Sequence, residues 1–195
     1  MSEPRTEEKY GRLHWFRPEE LTDDQRVYYD RLMSGPRKSW VAGEHGRLHR
    51  AFNARLLDPA VCTTIQELGA VLGFGTPALT DRQREIAILE TVGHEQCELE
   101  WAAHRKAGLN AGLRPEKIAA IDDGVDRATF QAAETLTRQV VQALLVERDL
   151  DEALFERAER EIGLAALFDL ISLVAHYQHT ALALRVWRVP VEGGE

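Results

Sequence analysis

Residues 80–104 read TDRQREIAILETVGHEQCELEWAAH, and they are the most informative part of the chain for both fold and chemistry. Cys97, Glu100 and His104 are spaced three and four residues apart, so on a helix they share one face. A thiol, a carboxylate and an imidazole on one face can accept, hold and donate protons. A second cysteine there would make a redox centre, and the sequence has none at that place. The stretch therefore favours proton transfer over dithiol chemistry.

The composition indicates one cytoplasmic domain with an appended arm. The chain has 195 residues and a formal net charge of -8, which argues against nucleic acid as its main partner. Cys62 and Cys97 are the only cysteines, so no disulfide framework is expected and a reducing compartment is favoured. The apolar segment 163–184 is interrupted by Asp169 and His176. Because charged centres are costly in lipid, it predicts a buried helix and no membrane partner.

Helical signals dominate the chain, and strand alternation is not convincing anywhere. Thr80 and Gln83 form a capping-box pattern that opens the central helix, and Gly93 is expected to close it. Residues 1–17 are predicted to be an irregular arm and residues 37–49 a long loop. Helices are predicted over residues 21–34 with Thr22 as N-cap, 59–73 with Asp58 as N-cap, 80–93, 95–107, 113–122, 126–147, 151–161 and 164–187.

Glu100 and His104 are the first candidates for acid–base chemistry. At a spacing of four residues a carboxylate can hydrogen-bond an imidazole and hold one tautomer, as a general acid or base requires. The alternative is a surface pair of little energetic value. Glu85 lies beside an apolar run and is either a boundary residue or a carboxylate paired within the core. If it is paired, it is expected to hold a proton close to the same face.

Cys97 is predicted to lie in the first turn of a helix, where the positive end of the helix dipole favours a thiolate. Glu95, Glu98 and Glu100 surround it with negative charge, which disfavours the thiolate. The other interpretation is that Cys97 is a small buried apolar residue.

The last predicted helix carries Asp169, His176 and His179 on one face. Such a set could bind a metal ion, but no second group with firm ligand spacing supports it, and no metal is predicted. Buried polar groups or the lining of a substrate pocket explain these residues better.

These residues resemble the alkylhydroperoxidase D and carboxymuconolactone decarboxylase superfamily, whose motif is a glutamate, a gap and then C-x-x-C-x-x-x-H across two helices. Glu85 matches the glutamate, Cys97 the first cysteine and His104 the histidine. Glu100 stands where the second cysteine would be, and CELEWAAH is similar to the carboxymuconolactone-decarboxylase-like branch. Similar segments also include LTDDQRVYYDRLMSGPR, FNARLLDPAV, LTDRQREIAIL and AGLRPEKIAAI, so the resemblance covers roughly residues 21–190.

The resemblance implies an all-α, alkylhydroperoxidase D-like helical fold. Its subunits are expected to form homo-oligomers, trimers or hexamers, with helices packing across the subunits. It divides the chain into an arm, first helix and loop over residues 1–50, a helical domain over residues 51–190 and a tail over residues 191–195.

Three functions remain open on this basis. The first is a lyase of the carboxymuconolactone decarboxylase type, performing cofactor-independent proton transfer on a small acidic lactone or enol. His104 would be its acid and base, Glu100 an orienting partner or second base, Glu85 a further proton donor and Cys97 a pocket wall or weak acid. The second is a thiol peroxidase that uses Cys97 alone, and the third is a non-catalytic oligomeric binding protein. The residues predicted to bind substrate are Trp101, His176, Tyr177 and His179.

Overall fold

The computed structural model describes residues 8–35, 38–49, 51–75, 77–124 and 130–191. These residues are mostly helical, which confirms the all-α class. The elements are β1 (Lys9–Tyr10), β2 (Leu13–His14), α1 (Asp23–Ser34), α2 (Lys38–Val41), α3 (Ala51–Arg55), α4 (Pro59–Ala70), α5 (Asp81–His94), α6 (Glu98–Asn110), α7 (Pro115–Asp122), α8 (Ala132–Val146), α9 (Glu152–Glu161) and α10 (Gly163–Trp187). Within these ranges no helix is both long and apolar enough to cross a membrane.

The helix starts that were predicted from capping residues are confirmed. The backbone N–H of Gln83 donates to the Thr80 hydroxyl at 3.3 Å, and the Gln83 side chain accepts from the Thr80 backbone at 3.2 Å. Thr22 caps α1 in the same way, and Asp58 accepts from the backbone N–H of Val61 at 3.1 Å at the start of α4. Each bond satisfies a backbone donor that the helix itself leaves unpaired.

Several predicted boundaries were wrong. The helix α6 begins at Glu98, not at residue 95, because Gln96 has a φ of 53° that interrupts the helical backbone. Residues 37–49 contain α2 and a 3-10 turn at Glu44–Gly46, where a loop was predicted. Residues 9–14 form the β1–β2 hairpin instead of an irregular arm. The predicted start of the 126–147 helix lies outside the described residues, and α8 begins at Ala132.

The chain forms two compact units. The first contains the described residues up to Glu67 and from Ala183 onward, and its core is formed by Tyr28, Tyr29, Leu32, Val41, Leu48 and Leu56. The buried side chain of Asn53 ties the N-terminal segment to this unit. It donates to the carbonyl of His14 at 2.9 Å and accepts from the backbone N–H of Phe16 at 3.2 Å.

The second unit, Leu68–Leu182, is built around α5, which packs against α6, α7 and α8. Its core cluster is Ile86, Leu89, Leu113, Ile118 and Ile121. Ile86 and Leu89 are fully buried, and burying one such side chain stabilises a fold by about 1.5–3 kcal/mol. The position of α5 is therefore strongly fixed, and α5 is the helix that carries Glu85.

Candidate functional site

Glu85 is the partly exposed residue in a stretch of α5 that is otherwise buried. Both of its neighbours, Arg84 and Ile86, are buried, while the Glu85 side chain is 13% exposed. The helix α6 comes close to α5 at Gly93, where an added Cβ atom would lie 3.2 Å from the Trp101 ring. A Cβ atom at position 93 would therefore require the Trp101 ring to shift by a few tenths of an ångström.

This close approach brings the imidazole of His104, on α6, to the carboxylate of Glu85. The distance from His104 Nδ1 to Glu85 Oε2 is 2.9 Å, within hydrogen-bonding range. The His104 side chain is 16% exposed, so the pair is largely shielded from bulk water. The orienting bond of His104 thus comes from Glu85, where the sequence favoured Glu100.

Glu100 lies on the other side of the imidazole. Its Oε2 atom is 3.7 Å from Nε2 of His104, which is too long for a hydrogen bond. A role for Glu100 as a second base stays a prediction.

Tyr177, on α10, contacts the second ring nitrogen of His104. Its hydroxyl oxygen is 3.0 Å from Nε2, and the two rings meet edge to face with centroids 5.0 Å apart. Next to it on α10, the Gln178 side chain donates to the carboxylate of Glu95 at 3.1 Å. This bond fixes α10 against the connection between α5 and α6. The structure therefore assembles Glu85, His104 and Tyr177 into one hydrogen-bonded chain.

Cys97 is the N-cap residue of α6 and is 8% exposed. Its backbone N–H donates to the carbonyl of Val92 at 2.9 Å, and its own carbonyl accepts from Trp101. It precedes His104 by seven residues, about two helical turns or roughly 10 Å along the axis. Cys97 therefore lies at the N-terminal end of α6. His104, which is bonded to Glu85 of α5, lies about two turns further along α6.

The other predicted substrate-binding residues are dispersed. Trp101 packs against the core cluster of the second unit. His176 lies against Gly69, where an added Cβ atom would be 2.8 Å from its Nε2 atom, and its ring meets that of Tyr177 at 5.3 Å. His179 is exposed, and it points away from Tyr177 because residues two apart lie on different sides of a helix. Of these four residues, Tyr177 is hydrogen-bonded to His104.

No group of three or more His, Cys, Asp or Glu side chains in the described ranges is arranged to hold a metal ion. This includes the set Asp169, His176 and His179 on α10.

Residues 59–143 match the model of the Carboxymuconolactone decarboxylase family. The chain carries a domain of this family. The matched range of the carboxymuconolactone decarboxylase domain includes Glu85, Cys97, Glu100 and His104, whereas Tyr177 lies beyond it.

The fold of the chain is similar to that of a crystal structure described as an alkylhydroperoxidase AhpD core, an uncharacterized peroxidase-related protein from Ralstonia eutropha JMP134. The TM-score is 0.72 over 95% of this chain and 94% of the other, at 14% sequence identity. This likeness establishes an alkylhydroperoxidase D-like fold for the carboxymuconolactone decarboxylase domain and its flanking helices. No curated protein matches the chain significantly in sequence.

A double-mutant cycle tests the assignment of the orienting carboxylate. We expect Glu85→Ala and His104→Ala to be coupled by about 0.5–3 kcal/mol in the free energy of unfolding, because they share a hydrogen bond. The matched cycle with Glu100→Ala should give less than about 0.5 kcal/mol, since that carboxylate is beyond bonding distance. Chemical denaturation of the wild type and the variants measures both values. A larger coupling of His104 to Glu100 than to Glu85 would show that Glu100, and not Glu85, orients the imidazole.

Proposed function

We propose that the protein is an enzyme that moves a proton on a small acidic lactone or enol without a cofactor, in a decarboxylation, isomerisation or elimination. The observation that carries the proposal is the bond between His104 and Glu85 at 2.9 Å in a shielded position. An imidazole with one nitrogen held by a carboxylate is the usual arrangement of a general base. The carboxymuconolactone decarboxylase domain supports a lyase and the substrate class.

The roles follow from the order of the groups. Glu85 accepts the hydrogen bond from Nδ1–H of His104 and stabilises the imidazolium that forms when Nε2 gains a proton. Glu100, at 3.7 Å, adds negative charge on the side of Nε2. His104 then returns the proton to the substrate atom, a carbon or an oxygen, that is protonated in the product. The electron pair left on the substrate is delocalised as an enolate, and no electron leaves the substrate.

The position of Cys97 supports a second candidate function, that of a thiol peroxidase. As the N-cap residue of α6, it lies at the positive end of a helix, where a thiolate is stabilised. The thiolate sulfur would attack a peroxide oxygen and break the O–O bond, which leaves a sulfenate and an alcohol. One external thiol would then form a mixed disulfide and release water, and a second would free Cys97. Cys62 belongs to the other unit, and burial raises the pKa of its thiol.

One set of variants separates the two candidates. We expect the wild type to convert at least one of three probes: carboxymuconolactone, muconolactone and the enol of oxaloacetate. His104→Ala and Glu85→Ala should lower kcat by about 100-fold or more, the usual contribution of a positioned base. Glu98→Gln, an exposed change on α6, should retain activity. Absorbance or NMR assays measure these rates.

Other results would count against the first candidate. Peroxide reduction that is lost in Cys97→Ser and retained in His104→Ala would favour the thiol peroxidase. A wild type that neither turns over a probe nor reduces peroxide would favour a binding protein.

We also propose that the protein works as a cytoplasmic homo-oligomer, a trimer or hexamer. An apolar stripe supports the assembly: Leu164, Phe168, Ile171 and Leu182 are 54%, 69%, 45% and 55% exposed along α10. Leu164, Phe168 and Ile171 are three and four residues apart. Leu182 lies on the same face beyond Gln178 and His179, roughly 27 Å from Leu164 along the helix. A face of this kind gains free energy when a second copy covers it. Both cysteines are free thiols, as expected in a reducing compartment.

Charge on this stripe should dissociate the assembly. We expect the mass of Phe168→Asp, measured by light scattering, to fall towards the 22.0 kDa of one chain, because a buried unpaired carboxylate is costly. Val146→Asp changes a side chain that is 65% exposed at the end of α8 and should keep the wild-type mass. A wild type that is already monomeric, or a Phe168→Asp variant of unchanged mass, contradicts the proposal.

A further inference from the structure

Both nitrogens of the His104 imidazole already have partners inside the protein. Nδ1 is 2.9 Å from Glu85 Oε2, and Nε2 is 3.0 Å from the Tyr177 hydroxyl oxygen. Because an ionised carboxylate can only accept, Nδ1 must donate to Glu85. In the neutral imidazole Nε2 is then the acceptor, so the Tyr177 hydroxyl donates to it. The lone pair that a general base would offer to a substrate is thus directed at Tyr177.

The side chain of Tyr177 is held in place by contacts on more than one side. Its ring packs edge to face against the ring of His104 at 5.0 Å and against that of His176 at 5.3 Å. His176 is itself confined by Gly69, and the adjacent Gln178 is bonded to Glu95 at 3.1 Å. A hydroxyl fixed in this way has a defined direction towards Nε2, as in a nucleophile or acid that is oriented by a base.

We propose that Tyr177 is a catalytic residue and that its hydroxyl oxygen exchanges the proton with the substrate. The proposal rests on the proton-transfer function above and extends it to a residue outside the matched family range. When the Tyr177 oxygen takes a proton from a substrate C–H bond, its own proton moves to Nε2 of His104. The electron pair of the broken bond stays on the substrate as an enolate. The imidazolium is stabilised by Glu85, and the reverse transfers return the proton, so nothing is oxidised or reduced.

In this arrangement Glu100 stabilises the charge that the proton transfer creates on the imidazole. Its Oε2 atom is 3.7 Å from the same Nε2 that Tyr177 contacts. When Nε2 becomes protonated, this carboxylate stabilises the charge from the side opposite Glu85. Two titratable side chains, His104 and His176, face Tyr177, and Glu85 and Glu100 face the His104 ring.

The substitution Tyr177→Phe removes one oxygen and keeps the ring that packs between the two histidines. With the probe that the wild type converts, we expect kcat to fall by about 100-fold or more while KM changes by less than about threefold. The matched control is Tyr10→Phe, which removes a tyrosine hydroxyl in the first unit and should keep wild-type rates. Wild-type kcat in Tyr177→Phe together with a large loss in His104→Ala would overturn the proposal and leave the proton-transfer function standing. Wild-type rates in both Tyr177→Phe and His104→Ala would contradict the role of Tyr177 and also the proton-transfer function.

An NMR titration tests the same bond without any turnover. Tyrosine labelled with ¹³C at the ζ carbon reports on each hydroxyl, and Tyr177→Phe identifies the resonance. We expect the Tyr177 resonance to shift with the same midpoint as the His104 ring, since a protonated Nε2 can no longer accept its proton. The shift should disappear in His104→Asn. A Tyr177 resonance that is indifferent to the titration of His104 would overturn the proposal whatever the activity data show.

Discussion

The hydrogen bond between Glu85 and His104 is the interaction on which the site depends. A carboxylate on a helix whose adjacent residues are buried loses much of its hydration, and it needs a donor to offset that loss. His104 is the donor at 2.9 Å, and it reaches this position because α6 approaches α5 closely at Gly93. The same bond that satisfies Glu85 also fixes the tautomer of His104. Stability and chemistry are therefore linked at one contact.

The helix α10 serves two faces of the second unit with different chemistry. One face brings Tyr177 to Nε2 of His104. The other face exposes the apolar stripe that includes Phe168. Since one rigid helix carries both, a second copy that covers the stripe would also restrain the Tyr177 hydroxyl. In the proposed homo-oligomer, assembly would therefore affect the geometry of the proposed proton relay.

Local signals were sufficient to predict the helices but not the partners within the site. Thr80 and Gln83 gave the start of α5 correctly, because a capping box acts within four residues. The start of α6 was missed, since the positive φ of Gln96 has no marker in the residue type. Glu85 and His104 are 19 residues apart, and Tyr177 and His104 are 73 apart. Such pairs depend on how helices pack, whereas the spacing of four residues pointed to Glu100.

The protonation state of His104 tests the central claim most directly. Long-range ¹H–¹⁵N NMR distinguishes the two neutral tautomers of a histidine ring, at a pH high enough for the imidazole to be neutral. If Glu85 orients the ring and Tyr177 donates to Nε2, the proton of neutral His104 lies on Nδ1. A proton found on Nε2 would contradict the account, because Glu85 would then have no donor from this ring and Nε2 could not accept from Tyr177.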